Sequence, residues 1–249
     1  MAKMKIRCEL TLRNTLLYDD KWSNITHLYI TGDWNWNHKY GDYTADLFVR
    51  EDVFDGLIRL EELRFVWTPR VTLYPGCFRG LDNLRILDLS DCVELGYDSF
   101  MSAFESDLTL PKLEQLILHM TGNKAKHFVF KDSFAKLLTT RPVYVLDISD
   151  MIIEAYDLEL IGRYAKHLLF LNISGISVIN FTLSNENIRN FSAPFKVLDA
   201  SRSYTITSRV PYMLCMWPPY EYVISDHNMI GLIVETLYMD NLCGYLQKQ

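Results

Sequence analysis

This 249-residue sequence lacks the motifs of several functional classes. It contains no G-x-S-x-G, H-E-x-x-H, P-loop or G-x-G-x-x-G string, so the common hydrolase, zinc-peptidase and nucleotide-binding motifs are missing. It also lacks an excess of positive charge, with 25 Lys and Arg against 31 Asp and Glu, a net charge of −6 and a pI of about 5.5. We therefore expect no catalytic residues, no metal site, no cofactor and no nucleic-acid partner.

Long apolar runs and cysteine are also scarce. The first residues, MAKMKIRCELTLRNTLLYDD, lack an apolar core of signal-peptide length. The apolar run at residues 229–234 is far shorter than the roughly 18 residues that span a membrane. The five cysteines form no C-x-x-C pair and no zinc spacing. This odd number fits reduced cytosolic thiols, and it fits equally a piece of a longer secreted chain, in which Cys77 and Cys92 are candidates for a disulfide.

What the sequence contains instead is a repeated string. Residues 84–92 are LRILDLSDC, and close variants occur at 143–151 (VYVLDISDM), 168–176 (LLFLNISGI) and 195–203 (FKVLDASRS). The shorter template L-x-x-L-x-L matches eight segments in chain order. They are ITHLYI (25–30), LEELRF (60–65), LRILDL (84–89), LEQLIL (113–118), VYVLDI (143–148), LLFLNI (168–173), FKVLDA (195–200) and VETLYM (234–239). The five middle spacings, 24 to 30 residues, are typical of leucine-rich repeats, and the end spacings of 35 and 39 are longer.

The template predicts the fold. Alternating apolar residues place one side of each short strand in a core, which is buried only when successive strands stack as a parallel sheet. Between strands, F-x-G-L-x-x-L at 54–60 and 78–84 predicts 3₁₀ turns, and FMSAF (100–104) and FAKLL (134–138) predict short helices. We therefore predict an α/β leucine-rich-repeat solenoid, a horseshoe with a concave parallel sheet and a 3₁₀ or short-helix convex side. It forms a single domain over residues 1–249 with about eight irregular repeats, in which 1–24 is an N-terminal cap or leading segment.

The turn after each strand is expected to vary. Leucine-rich repeats usually place Asn or Cys three residues after the last apolar residue of the strand, and here only Cys92 fits that rule well. The equivalent residues Met151 and Ile176 predict imperfect turns.

Residues between the strand leucines provide the candidate binding surface on the concave side. These candidates are Arg64, Asp88, His119, Asp147, Asn172 and Asp199. The aspartates and Asn172 form a row that suits a cation or a basic ligand, or simply a solvated face that discourages edge pairing. We predict that replacing Asp88 or Asp147 by Ala changes stability by roughly 0.5 kcal/mol or less, against about 2–5 kcal/mol for Leu87→Ala or Leu146→Ala. His119 is expected to project from its strand as a surface contact.

Two further sets of residues are candidates for surface roles. Trp34 and Trp36 form either a ligand platform or a cover for the N-terminal end of the core. Four N-x-S/T sequons provide candidate glycosylation sites at Asn24, Asn172, Asn180 and Asn190.

The F-x-G-L-x-x-L segments, the strands spelled LDLS, LDIS, LNIS and LDAS, and the long uneven repeats together resemble the ectodomain of Toll-like receptors. The stretch LPKLEQLILHMTG followed by RPVYVLDIS is especially similar to invertebrate members, and the resemblance covers roughly residues 22–245. It implies an extracellular or membrane-receptor ectodomain that recognises a protein or microbial ligand, forms homo- or heterodimers and signals in innate immunity. That family also carries a signal peptide, a membrane helix and a TIR domain, so we interpret this sequence as a partial receptor chain. The alternative is an intracellular leucine-rich-repeat scaffold for protein interactions, located in the cytoplasm.

Overall fold

The computed structural model describes residues 2–7, 23–31, 46–51, 53–66, 68–104, 106–122, 128, 130–179, 193–194, 196–202 and 222–224. The chain divides into two compact units. Unit 1 comprises Met1–Phe128 and Thr140–Val143, and unit 2 comprises Val129–Thr139 and Tyr144–Gln249. No helix in the described ranges combines the length and the apolarity needed to cross a bilayer.

Unit 1 contains two parallel sheets. Its elements are β1 (Ala2–Arg7), β2 (Ile25–Thr31), β3 (Leu47–Val49), β4 (Glu62–Val66), β5 (Val71–Leu73), β6 (Ile86–Asp88), helix α1 (Tyr97–Ser102) and β7 (Gln115–Ile117). Strands β1, β2, β4, β6 and β7 pair in that order in the main sheet, and every pairing is parallel. Strands β3 and β5 pair separately.

The register of the main sheet aligns the central leucines that the template marks. Leu28 pairs with Leu63, Leu63 with Leu87, and Leu87 with Leu116, and all four are buried. The predicted parallel sheet is confirmed for these repeats. Strand β1 was not predicted, although Met4 pairs with Leu28 in the same register. Its signal was the alternation of apolar and basic residues in AKMKIR.

The F-x-G-L-x-x-L segments form the expected turns. Leu57 donates its backbone N–H to Phe54, and Leu60 donates to Leu57, at 3.1 and 2.9 Å. The same three-residue hydrogen bonds join Phe78, Leu81 and Leu84. All six side chains are buried, because this spacing turns every third residue toward the core. Phe54 and Phe78 stack with their ring centroids 6.4 Å apart, so successive turns pack on each other.

Unit 2 repeats this organisation. Its elements are α2 (Asp132–Thr140), β8 (Val145–Asp147), β9 (Ile152–Glu154), α3 (Ala155–Tyr164), β10 (Phe170–Asn172), β11 (Ser177–Ile179), β12 (Val197–Asp199) and β13 (Tyr222–Ile224), where the last residue of α2 is assigned to unit 1. Strands β8, β10, β12 and β13 are parallel neighbours, and β9 pairs with β11. The FAKLL segment lies in α2, as its helical spacing predicts.

The central leucines of unit 2 are also aligned. Leu146, Leu171 and Leu198 pair in register and are fully buried. The next partner is Val223 of β13, a strand that the sequence did not predict. Val223 follows Leu198 by 25 residues, which is an ordinary repeat length. Strand β13 therefore lies within the 39-residue gap between Leu198 and Leu237. The predicted strand VETLYM at 234–239 lies outside the described residues.

A buried carboxylate joins the two helices of unit 2. Asp157 accepts the backbone N–H of Glu154 at 2.7 Å, which completes a capping box at the start of α3. Its other oxygen accepts the N–H of Phe130, close to the start of α2, at 2.9 Å. Burial, together with the neighbouring charge of Glu154, raises the pKa of Asp157 to about 7, although the two N–H bonds act in the opposite direction.

Candidate binding surface

The main strands present one face that is not occupied by the buried leucines. We call it the open face of each unit, and it corresponds to the side predicted as concave. Strand alternation gives it two rows, one residue before and one residue after the central leucine. In unit 1 the rows are His27, Glu62, Ile86 and Gln115, then Tyr29, Arg64, Asp88 and Ile117. In unit 2 they are Val145, Phe170 and Val197, then Asp147, Asn172 and Asp199.

The open face of unit 1 carries a network of paired charges. The guanidinium of Arg64 donates from Nε to Glu62 Oε1 at 2.5 Å and from Nη1 to Asp88 Oδ2 at 3.1 Å. The Tyr29 hydroxyl donates to the same Glu62 oxygen at 2.7 Å, and His27 Nε2 lies 3.5 Å from the other oxygen. The predicted candidates Arg64 and Asp88 are therefore brought together, along with Tyr29 and with Glu62 and His27, to which the sequence assigned no role.

The contacts of this network shift the pKa values of Tyr29, Glu62 and Arg64. The hydrogen bond to Glu62, helped by slight burial, raises the pKa of Tyr29. Burial works to raise the pKa of Glu62, but the bonds from Tyr29 and Arg64 outweigh it, so that this pKa is lowered. Burial works to lower the pKa of Arg64, yet its carboxylate partners raise it. At neutral pH Glu62 and Arg64 are therefore both ionised, and the Tyr29 hydroxyl keeps its proton.

The repeated aspartates close the turn that follows each strand. Asp88 Oδ1 accepts both the N–H and the hydroxyl of Ser90, at 3.0 and 2.5 Å. Asp147 holds Ser149 in the same way, at 2.9 and 2.5 Å, and Asp199 holds Ser201, at 3.0 and 2.8 Å. We call this arrangement the Asp–Ser clasp. It gives the recurring LDxS string a structural cause, because the carboxylate satisfies turn donors that the sheet leaves unpaired.

The clasp corrects the expectation that these aspartates are indifferent to stability. Asp88 is only 6% exposed and accepts three hydrogen bonds, one of them from Arg64. A side chain in that position is part of the folded structure, since its loss leaves donors without acceptors. The predicted effect of roughly 0.5 kcal/mol or less for Asp88→Ala is therefore too small.

The turns beyond the clasp are more regular than the sequence suggested. The residue before each turn position has a positive φ in five turns, at Asp91 (62°), Met120 (53°), Asp150 (54°), Gly175 (65°) and Arg202 (57°). Met151 and Ile176 are each 1% exposed, so they fill this position with apolar side chains. The backbone N–H groups of Asp150 and Gly175 donate to the next repeat at 2.8 Å. The expectation of imperfect turns at these two residues is wrong, because left-handed backbone and inter-repeat bonds preserve the shape.

In unit 1 the same position is polar. Thr68 Oγ1 and Cys92 Sγ share a buried hydrogen bond of 3.5 Å, and Thr121 Oγ1 donates to the Leu89 carbonyl at 2.7 Å. Cys77 and Cys92 are both buried and neither belongs to a disulfide, so the candidate pairing is not formed. Burial raises the pKa of Cys92 to about 12, which leaves this sulfur a neutral packing group.

One turn in unit 2 requires its glycine. Gly175 has φ +65°, and a Cβ at that position would lie 2.0 Å from Asp150 Oδ1. The Asp150 carboxylate occupies this space and reaches Arg202 Nη2 at 3.1 Å. The pair thus links two turns across the glycine, which explains the change from LDISD to LNISG in this repeat.

The open face of unit 2 differs from that of unit 1. Its first row is apolar and half-buried, with Phe170 paired to Val145 on one side and Val197 on the other. In its second row, Asn172 Nδ2 donates to Asp147 Oδ2 at 2.9 Å, and Asn172 Oδ1 accepts the N–H of Ser174 at 2.9 Å. Within the described ranges, no Lys or Arg is ion-paired with the carboxylates of this row, whereas Asp88 in unit 1 is paired with Arg64.

The remaining candidates fall in different places. His119 lies two residues beyond the end of β7, in the turn at the position that Ser90 takes in its repeat, so the prediction that it projects from the strand is wrong. Its carbonyl accepts the N–H of Asp91 at 2.9 Å. Asn24 is exposed and accepts a bond from Arg59 at 3.0 Å. The other candidates lie outside the described residues: Trp34, Trp36, Asn180 and Asn190.

A metal centre is not visible in this part of the chain. Among the residues that the structure describes, no group of three or more His, Cys, Asp or Glu is placed to hold a metal ion. The expected lack of a metal or cofactor stays a prediction for the whole protein.

Comparison with known proteins supports the fold only. No family model matches this sequence, and no curated protein matches it. Twenty-five solved chains match its structure. Among them, human 5T4 (Wnt-activated inhibitory factor 1, trophoblast glycoprotein) has a TM-score of 0.52 and 17% sequence identity, over 89% of this chain and 76% of that chain. Since 5T4 is a leucine-rich-repeat protein, this likeness and the parallel sheets indicate an α/β fold of leucine-rich-repeat type.

Proposed function

We propose that this protein is a leucine-rich-repeat binding module that recognises a macromolecular ligand on its open faces and is not an enzyme. The observation that carries the proposal is the open face of unit 2. Its half-buried apolar row, Val145, Phe170 and Val197, lies beside carboxylates without a cationic partner among the described residues. Apolar side chains with adjacent unneutralised charge are typical of a surface that a partner covers.

The charged groups of the open faces favour binding over catalysis. In unit 1, Glu62 and Arg64 are locked to each other, and their pKa shifts hold both in the ionised form at neutral pH. In unit 2, Asp147 and Asp199 use one oxygen each to hold a serine. General acid–base catalysis needs a group that gains or loses a proton near the working pH, whereas Glu62 and Arg64 stay ionised there.

The finer part of the proposal is a role in innate immune recognition, as in the ectodomain of a Toll-like receptor. It is supported by the F-x-G-L-x-x-L turns and the LDxS strands, which carry the resemblance and form the turns and clasps described above. On this proposal the chain is part of a horseshoe outside the cell, attached to a membrane receptor, and it dimerises around a microbial or protein ligand.

A binding screen with matched variants tests this proposal. The chain is secreted behind an added signal peptide and presented to immobilised lipopeptide, lipopolysaccharide, β-glucan and flagellin. We expect at least one of these to bind, and we expect Phe170→Gln to weaken it by about tenfold. Tyr164→Gln is the control, because Tyr164 is an exposed aromatic residue on α3 of the same unit. Binding that both variants weaken equally, or the failure of all four components to bind, contradicts the proposal.

A second candidate is the intracellular scaffold. Two observations favour it: the Cys92 thiol is buried in a reduced packing position, and the Asn172 amide, the acceptor of one sequon, is hydrogen-bonded to Asp147 in the folded chain. The test compares chain made in the cytoplasm with chain made in the secretory route. A scaffold predicts equal melting temperatures and no requirement for glycans or disulfides. A receptor predicts that the secreted form alone is fully stable.

A further inference from the structure

We infer that the open face of unit 2 binds a basic segment of a protein, one that carries an apolar or aromatic side chain close to Lys or Arg. This inference rests on the proposed function and names the class of partner. It is carried by the juxtaposition of the apolar row and the acidic row on one sheet.

The apolar row provides the contact area. Phe170 lies between Val145 and Val197, and neighbouring strands are about 4.8 Å apart, so the row is about 10 Å wide. Tyr144 and Leu169, which immediately precede two of these strands, are exposed apolar side chains at 39% and 38%. These side chains stand over fully buried leucines, so the surface is supported by a packed core. Such a rigid apolar strip suits one or two large side chains of a partner.

The acidic row provides the charge that the partner must match. Asp147 and Asp199 lie on either side of Asn172, so the two carboxylates are about 10 Å apart. Asp147 Oδ2 accepts only a neutral amide, at 2.9 Å, among the contacts that the structure describes. The equivalent Asp88 in unit 1 is neutralised by Arg64 at 3.1 Å. Among the described residues, the same repeat position is therefore charge-balanced in unit 1 and has no cationic partner in unit 2.

The spacing selects the kind of cation. A bound Ca²⁺ needs six to eight oxygens within about 2.6 Å, and two carboxylates about 10 Å apart do not surround one ion. The Oδ1 atoms of Asp147 and Asp199 also already accept hydrogen bonds from the clasp serines. Separate Lys or Arg side chains on long stems reach both carboxylates without disturbing the clasps. The two rows are about 6.6 Å apart, which matches residues i and i+2 of one extended segment.

The test uses defined peptides in place of the unidentified partner. Three fluorescein-labelled peptides of about eight residues have Gly at every second position, and the positions between carry Arg and Trp in turn, Arg and Ser in turn, or Glu and Trp in turn, so that both residue types lie on one side of an extended segment. Fluorescence anisotropy measures their binding to the full chain at low and high salt. The variant is Asp147→Asn with Asp199→Asn, in which each amide oxygen still accepts the serine N–H, as Asn172 does for Ser174. Its control is Asp55→Asn with Asp82→Asn, an equal change of charge on exposed residues of unit 1.

We expect the Arg–Trp peptide to bind best, with an affinity that falls as salt rises. The double variant should weaken it by about tenfold, and the control should leave it unchanged. The inference is overturned if the Arg–Ser or Glu–Trp peptide binds equally well, if the control weakens binding as much as the variant, or if no peptide binds. Competition by Ca²⁺ that disappears in the double variant also overturns it, in favour of a cation site.

The outcome separates this inference from the proposed function. Melting temperatures of both double variants show whether the fold is intact. If the peptides fail while a microbial component still binds and is weakened by Phe170→Gln, the binding module stands and only the partner chemistry is wrong. If neither peptides nor components bind, both are wrong.

Discussion

The substitution Asp88→Ala gives the sharpest test of how these repeats are held together. It removes the acceptor for the Ser90 N–H and hydroxyl and for Arg64 Nη1, while the core beneath is untouched. Leu87→Ala, one residue earlier, instead removes a fully buried side chain from that core. The two variants therefore separate the clasp from hydrophobic packing within a single repeat.

The expected loss follows from the bonds that are removed. A hydrogen bond contributes about 1 kcal/mol net, and one to a charged group about 1.5–3 kcal/mol. Ser90 is half-buried and Arg64 keeps its bond to Glu62, so part of the loss is recovered through water. We expect Asp88→Ala to lower the free energy of unfolding by about 2–3 kcal/mol. Leu87→Ala should lower it by about 2–5 kcal/mol.

Two further variants divide the effect of Asp88. Asp88→Asn keeps the oxygen that holds Ser90 and loses the ion pair with Arg64, so its cost should be about 1 kcal/mol. Asp82→Ala changes an exposed carboxylate and should stay within about 0.5 kcal/mol of wild type. Urea denaturation at pH 7, followed by circular dichroism and by tryptophan fluorescence, measures all four variants, and coincidence of the two signals checks for a single transition. A wild-type midpoint and slope for Asp88→Ala would refute the structural role of the clasp.

The remaining predictions concern a glycine turn, a buried acid and the sequons. Gly175→Ala should destabilise the chain by about 2–4 kcal/mol, because its Cβ would meet Asp150. Gly80→Ala, at φ +81° in open space, should destabilise it by about 1 kcal/mol. Equal urea midpoints for the two variants would contradict the steric argument. The pKa of Asp157 is about 7 in the folded chain and near 4 when unfolded, so the folded state retains the proton longer. Raising the pH across that window should therefore lower wild-type stability relative to Asp157→Asn, and parallel melting temperatures at pH 5 and pH 8 would refute this. In a secreted version, glycopeptide mass spectrometry should find glycan on the exposed Asn24 and none on Asn172, whose amide is hydrogen-bonded; a fully occupied Asn172 would show that its bond is dispensable.

Much of the sheet was predictable because its determinants are local. Each L-x-L segment specifies which side of a strand is buried, and stacking then brings Leu63, Leu87 and Leu116 into register. The strands at both ends were harder to find. In β13 the string YVISD replaces the central leucine by Val223 and lacks the aspartate after it, so the template does not match.

The candidate site was less predictable, because its contacts depend on register between repeats. The residues next to Arg64 in the sequence do not indicate its ion pair with Asp88, which lies 24 residues later. Glu62 and Phe170 occupy the position before the central leucine, where the template allows any residue, and the sequence therefore gave them no role. The serine two residues after each aspartate was part of the repeated string, and its function became clear only from the clasp.

These contacts give different roles to the different positions of one repeat. The central leucine buries the core of each repeat, and the Asp–Ser clasp closes the turn in the repeats of β6, β8 and β12, so the recurrence of both reflects folding. The residue before the leucine has neither role, because its side chain lies on the open face. Its identity therefore differs between repeats. It is Glu62 in one repeat, Ile86 in the next and Phe170 in another. On the proposed function, ligand preference is therefore encoded mainly at this variable position, and the clasp aspartates add charge only where no arginine among the described residues neutralises them, as in unit 2.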